Sequence, residues 1–200
     1  MTNAGWAALV GLSGTALFLV LGTISVLANK NGFGRRNPLI LIEGSDRRLS
    51  TSKAQWFLWT AVIAGSYGAV YAARALSGLN VTVVSVPSNV LIALGFSATT
   101  MATAKGITAN FAGRTAAKAA APAGAGGLLT DDNGVTDLSK VQLMTWTFVA
   151  LGVYTYAVAS RVGSILVTHA NLGLPDIDTA LMALTGLSQG GYLGKKLVAP

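Results

Sequence analysis

The chain has no cysteine, so disulfides and thiolate metal sites are excluded and the redox compartment is left open. One histidine, His169, is too few for a His-rich metal cluster. Only seven acids occur in 200 residues (Glu43, Asp46, Asp131, Asp132, Asp137, Asp176 and Asp178), all in segments that read as loops or helix ends. No carboxylate or imidazole therefore falls inside an apolar run, where a general base, proton relay or ion-coupling site would stand. Catalysis and proton-coupled transport are not expected, nor is any metal or cofactor. Charge as a whole is scarce, at 10% against 52% hydrophobic residues and a mean hydropathy of +0.58. Soluble domains carry roughly a quarter charged residues, so this composition points to lipid.

What is present is a long apolar pattern, written twice. Residues 52–74 align without a gap on 139–161: Ser52, Lys53, Gln55, Trp59, Thr60, Gly65, Tyr67 and Arg74 match Ser139, Lys140, Gln142, Trp146, Thr147, Gly152, Tyr154 and Arg161. Each copy holds 20 uncharged residues between its Lys and its Arg, enough helix to cross the ~30 Å hydrocarbon core. Each begins with Ser-x-x-Gln, which reads as a capping box whose Gln returns to the cap. Arg74 and Arg161 then snorkel to water at the far end.

A second, less tightly matched span follows each copy. After Pro87, residues 90–104 read as a helix, and residues 81–86, rich in valine, as an extended run along the outer surface. The counterpart is 175–194, where Asp178 and Lys195 enclose 16 uncharged residues, slightly short for a span and open to a re-entrant reading. Ahead of the repeats, residues 6–28 form one more uncharged run. A signal peptide competes there, but the neutral front and excess length favour a retained helix.

The expected architecture is an all-α integral membrane protein with about five transmembrane helices: an N-terminal helix (1–29), a basic connector (30–51), repeat one (52–104), an Ala/Gly-rich loop (105–138) and repeat two (139–200). The 131–134 stretch, Asp-Asp-Asn-Gly, fails as a calcium loop because Leu129 stands where the first acid belongs; it reads as a turn. Twelve of the 14 basic residues sort to one side and only Arg74 and Arg161 to the other. The positive-inside rule then places the N-terminus outside and the C-terminus in the cytoplasm. Two crossings per repeat give copies of the same orientation, related by a pseudo-twofold axis along the membrane normal. The +7 charge is explained by this sorting, without nucleic acid.

The doubled pattern, S-x-x-Q with a Trp-containing span and then Ala-Leu with Gly-x-Ser, resembles an uncharacterised family of bacterial membrane proteins with an internally duplicated two-helix repeat. The resemblance covers 50–196, implies a bacterial inner membrane, and adds no functional residue.

Two features carry the functional expectation. Ser97, Thr100 and Thr103, and Thr185, Ser188, Gln189 and Tyr192, each fall on one helical face in equivalent spans. They read as the lining of an uncoupled ion or small-solute channel in a homo-oligomer. Gly65, Gly186, Gly190 and Gly194 lie on small-residue stripes suited to close helix packing in the bilayer. The alternative is a non-catalytic membrane anchor or scaffold, with Arg35, Arg36, Arg47 and Arg48 contacting anionic lipid or a cytoplasmic partner. A polar face converging on an oligomer axis favours the channel; one sealed by neighbouring helices favours the scaffold.

Overall fold

A computed structural model describes residues 5–6, 9, 41–43, 48–81, 84–112, 127–131 and 134–198. Among these lie four long helices: α1 (Thr51–Leu76), α2 (Ser88–Ala112), α3 (Leu138–Thr168) and α4 (Thr179–Val198). No strand occurs among the described residues, only two isolated antiparallel bridges, Glu43↔Leu49 and Thr130↔Thr136, just ahead of α1 and α3. Three helices are long and apolar enough to cross a membrane: α1, the Ser88–Asn110 part of α2, and α3. Helix α4, at 20 residues, has the length, about 30 Å, but is too polar to qualify by composition. The outward faces fit this reading. Leu187, Tyr156 and Val167 are 71%, 76% and 80% exposed, as side chains facing acyl chains would be. The described residues are all-α, and their three apolar helices point to a membrane protein. Of the expected N-terminal span only residues 5, 6 and 9 are described, and Arg35, Arg36, Arg47 and residues 113–126 lie outside the described residues.

The two helix starts differ from the capping boxes expected at Ser52 and Ser139. Ser50 caps α1 from extended backbone (φ −99°, ψ 113°), its hydroxyl accepting from the Lys53 amide at 3.4 Å. Asp137 caps α3 in the same conformation (φ −98°, ψ 105°), accepting from the amides of Ser139 (3.0 Å) and Lys140 (3.4 Å). A cap must stand outside the helix with its side chain over the first amides. Ser52 and Ser139 are already helical, so neither their hydroxyls nor Gln55 and Gln142 perform that function. Both Lys side chains reach back ten residues instead: Lys53 Nζ donates to the Glu43 carbonyl and Lys140 Nζ to that of Thr130.

At the far ends Arg74 does not snorkel. It is 5% exposed and its guanidinium donates to the Asn80 carbonyl at 2.5 Å, tying the turn after α1 back onto the helix. Gly78 takes φ +68° in that turn, where a Cβ would be strained. Helix α3 runs past Arg161 and stops at His169, which caps it from the left-handed region (φ 52°). Its Nδ1 lies 3.2 Å from the Ser77 carbonyl. Of the valine run after α1, Val84 turns inward rather than outward: it is 5% exposed and packs with Leu174 and Ile177.

The four helices form a closed square in which α1 touches α2 and α3, and α4 touches α2 and α3; α1/α4 and α2/α3 are the diagonals. Contacts advance in step along like elements. The Ser77 hydroxyl donates to the Ile165 carbonyl at 3.3 Å at one end, while Thr51 Oγ1 donates to the Leu128 carbonyl, just ahead of α3, at the other. Helices α1 and α3 therefore run in the same sense. So do α2 and α4, tied in order by Asn89–Ile177, Thr100–Gln189 and Thr108–Lys196. Toward the loop end the core is mainly apolar, where Val70, Val84, Val90, Ile165, Leu174 and Ile177 meet. Trp59 and Tyr154 pack across its middle with ring centroids 6.4 Å apart and planes at 53°, an inclined aromatic contact.

Candidate functional site

The interior changes character toward the end where α1 and α3 begin and α2 and α4 finish. Here polar side chains are buried alongside Ala54, Ala104, Leu143 and Met144. Thr100 Oγ1 of α2 donates to Gln189 Oε1 of α4 at 3.0 Å, both side chains buried. Ser97, fully buried one turn away, returns its hydroxyl to the Ala93 carbonyl (3.0 Å); Thr185 does so to Leu181 (2.9 Å) and Ser188 to Thr185 (2.7 Å). Such back-bonding is how hydroxyls satisfy themselves inside a membrane helix. Tyr192 is 3% exposed and its hydroxyl meets Ser52 of α1, across the diagonal.

Six of the seven residues expected on the polar face are thus brought together, but inside one chain and sealed there by its own helices. The seventh, Thr103, is exposed and does not join them. The helical period explains the split. Three-residue steps drift around an axis of 3.6 residues per turn, so 97 and 100 share the buried face and 103 has rotated off it.

The small-residue stripe is placed differently from expectation. Within the chain, a Cβ at Gly186 would meet the Phe96 ring at an ordinary 3.6 Å, whereas one at Gly190 or Gly194 would meet nothing within 4 Å. Gly190 and Gly194 are exposed, and Gly65 is half-buried. Close intrachain packing at Gly190 is therefore not present. Arg48 is half-buried beside the bridge at Leu49.

The sequence reading gave three groups no interior role. Gln55 is completely buried on the interior face of α1, and Trp59, one turn further on, is 1% exposed. Neither Gln55 Nε2 nor Oε1, nor Trp59 Nε1, nor Gln189 Nε2 has a hydrogen-bond partner within the chain. The third is Asp137, whose carboxylate binds the Lys195 ammonium at 2.8 Å and joins the start of α3 to the last turn of α4. Burial opposes the charge on Asp137. The Lys195 and Ser139 hydrogen bonds, the Lys195 charge and the Lys140 amide outweigh it and bring its pKa down to about 2. Carrying the repeat alignment two residues upstream, so that Ser50 faces Asp137, would have disclosed both caps.

Chemically, this interior offers hydroxyls, carboxamides, an indole and a phenol. Apart from Asp137, held by Lys195 at the helix ends, the polar groups gathered here are neutral, so the arrangement suits neutral hydrogen bonding. No protein-family model, no curated protein and no solved structure matches the chain.

Proposed function

We propose that this protein is a non-catalytic membrane anchor or scaffold subunit, in preference to an uncoupled channel. The observation that carries this reading is the enclosure of Ser97, Thr100, Thr185, Ser188 and Gln189 within a single chain, each hydroxyl bonded to a backbone carbonyl or to the Gln189 amide. Residues committed to the interior of one bundle are not free to line an axis between subunits. A path through the bundle itself would meet the apolar plug of Val70, Val90, Ile165, Leu174 and Ile177.

In this reading the chain has five spans, the N-terminal one plus two tandem two-helix repeats about an axis parallel to the helices. Support comes from equivalences 87 residues apart: Ser50 and Asp137 as caps, Lys53–Glu43 and Lys140–Thr130 as tethers, and the two isolated bridges. The basic end faces the cytoplasm of a bacterial inner membrane and presents Arg35, Arg36, Arg47 and Arg48 to anionic lipid or a protein partner, with the N-terminus outside. The outward apolar faces leave room for a homo-oligomer.

The test is purified protein in liposomes. No ion flux above empty vesicles is expected across several salts and voltages, and neutralising Arg47 and Arg48 should weaken recovery of a cytoplasmic partner. Flux that Gln189→Leu alters while assembly survives would restore the channel.

A further inference from the structure

The unsatisfied amides lie at one depth. Helices α1 and α4 run oppositely, since α1 and α3 share a sense and Asp137 at the start of α3 binds Lys195 at the end of α4. Ser52 of α1 meets Tyr192 of α4. Three residues onward along α1 is Gln55; three residues back along α4 is Gln189. Each step is about 4.5 Å of rise, so both amides arrive in the same layer from opposite corners of the square. Thr100 enters that layer from the third helix, α2, and Leu143, buried against Tyr192, from α3.

The bonding in the layer is lopsided. Gln189 Oε1 is occupied by Thr100, which orients the carboxamide and leaves its Nε2 donors without a partner. Gln55 has neither donor nor acceptor satisfied, and the Trp59 indole N–H stands one turn deeper on the same face of α1. A buried carboxamide left this way costs more than the bond it fails to make. The occupant such a set demands both accepts and donates and carries no charge. A bare anion would satisfy the N–H groups and repel Gln55 Oε1; a bare cation would do the reverse.

We propose that the Gln55–Gln189 layer is an internal water-binding site, in which water accepts from Gln189 Nε2 and donates to Gln55 Oε1 across the diagonal of the bundle. Water with two to four polar partners is the ordinary occupant of such buried sites. The site accounts for α4, the helix too polar to qualify as a span: its polar face meets Thr100 and held water instead of lipid. The apolar half confines the water to the basic half.

X-ray radiolytic hydroxyl footprinting of the whole protein in detergent tests this, because bound water generates the radical beside its neighbours. Relative to the intrinsic reactivity of each side-chain type, Leu143 and Trp59, 0% and 1% exposed, should oxidise several-fold faster than Val90 and Ile165, both 0% exposed in the apolar half. Gln55→Leu and Gln189→Leu, which remove the amide without adding a reactive sulfur, should each lose most of that oxidation while eluting at the wild-type size. Wild-type Leu143 and Trp59 as protected as Ile165 would overturn the site, as would oxidation unchanged in both variants. Should either variant fail to fold, the wild-type contrast decides alone.

Discussion

Thr100 of α2 and Gln189 of α4 bond side chain to side chain between helices: Oγ1 to Oε1, 3.0 Å, both sealed from solvent. The bond fixes which way the Gln189 carboxamide faces and ties two helices whose buried Ser97, Thr185 and Ser188 hydroxyls serve their own backbones.

Thr100→Val keeps the shape and removes the donor. It should lower stability by ~1 kcal/mol, within the range of interhelical hydrogen bonds in bilayers. A double-mutant cycle with Gln189→Leu, followed by thermal unfolding in detergent, should return a coupling of that size. Additive losses would mean the two side chains do not interact.

Asp137 sets a pH dependence. Its carboxyl has a folded pKa of about 2 against an ordinary 3.8, so its stabilising effect is present above pH 3.8 and disappears as pH falls through about 2. Because Lys195 is 46% exposed, the effect is discounted to about 1–2 kcal/mol. Asp137→Asn should melt earlier than the parent at pH 6, and the gap should close by pH 2. A constant gap across that window would assign the loss to something other than the charge.

Gly190→Leu should be tolerated by the folded chain, within about 0.5 kcal/mol, because nothing lies within 4 Å of the added Cβ. Melting temperature and light scattering together check this. Unchanged melting with a smaller particle would place a second copy against that glycine.

Orientation follows from the charge asymmetry. In this naturally cysteine-free chain, Asn80→Cys and Asn171→Cys should react with an impermeant thiol reagent on intact cells, and Val135→Cys should react only after lysis. Labelling of Val135→Cys from outside would invert the topology.

The membrane character and the spacing of the helices were legible in the residues. Twenty uncharged positions between Lys53 and Arg74, and again between Lys140 and Arg161, state a crossing by length alone, since the hydrocarbon core has one thickness. The grouping of Ser97 with Thr100, and of Thr185 with Ser188, Gln189 and Tyr192, also follows from helical period. What that grouping faces does not. In water an apolar stripe marks the inside of a helix; in lipid the outside is as apolar as the core, and the stripe carries no direction. Only packing decided that Gln55 points inward and Gln142 outward, although they are the same residue at the same place in two copies. Packing likewise buried Arg74 on a carbonyl, turned Val84 inward and left Gly190 open. The caps were settled by backbone conformation: Ser50 and Ser52 are both competent by type, and only the extended φ and ψ at Ser50 make it the one outside the helix.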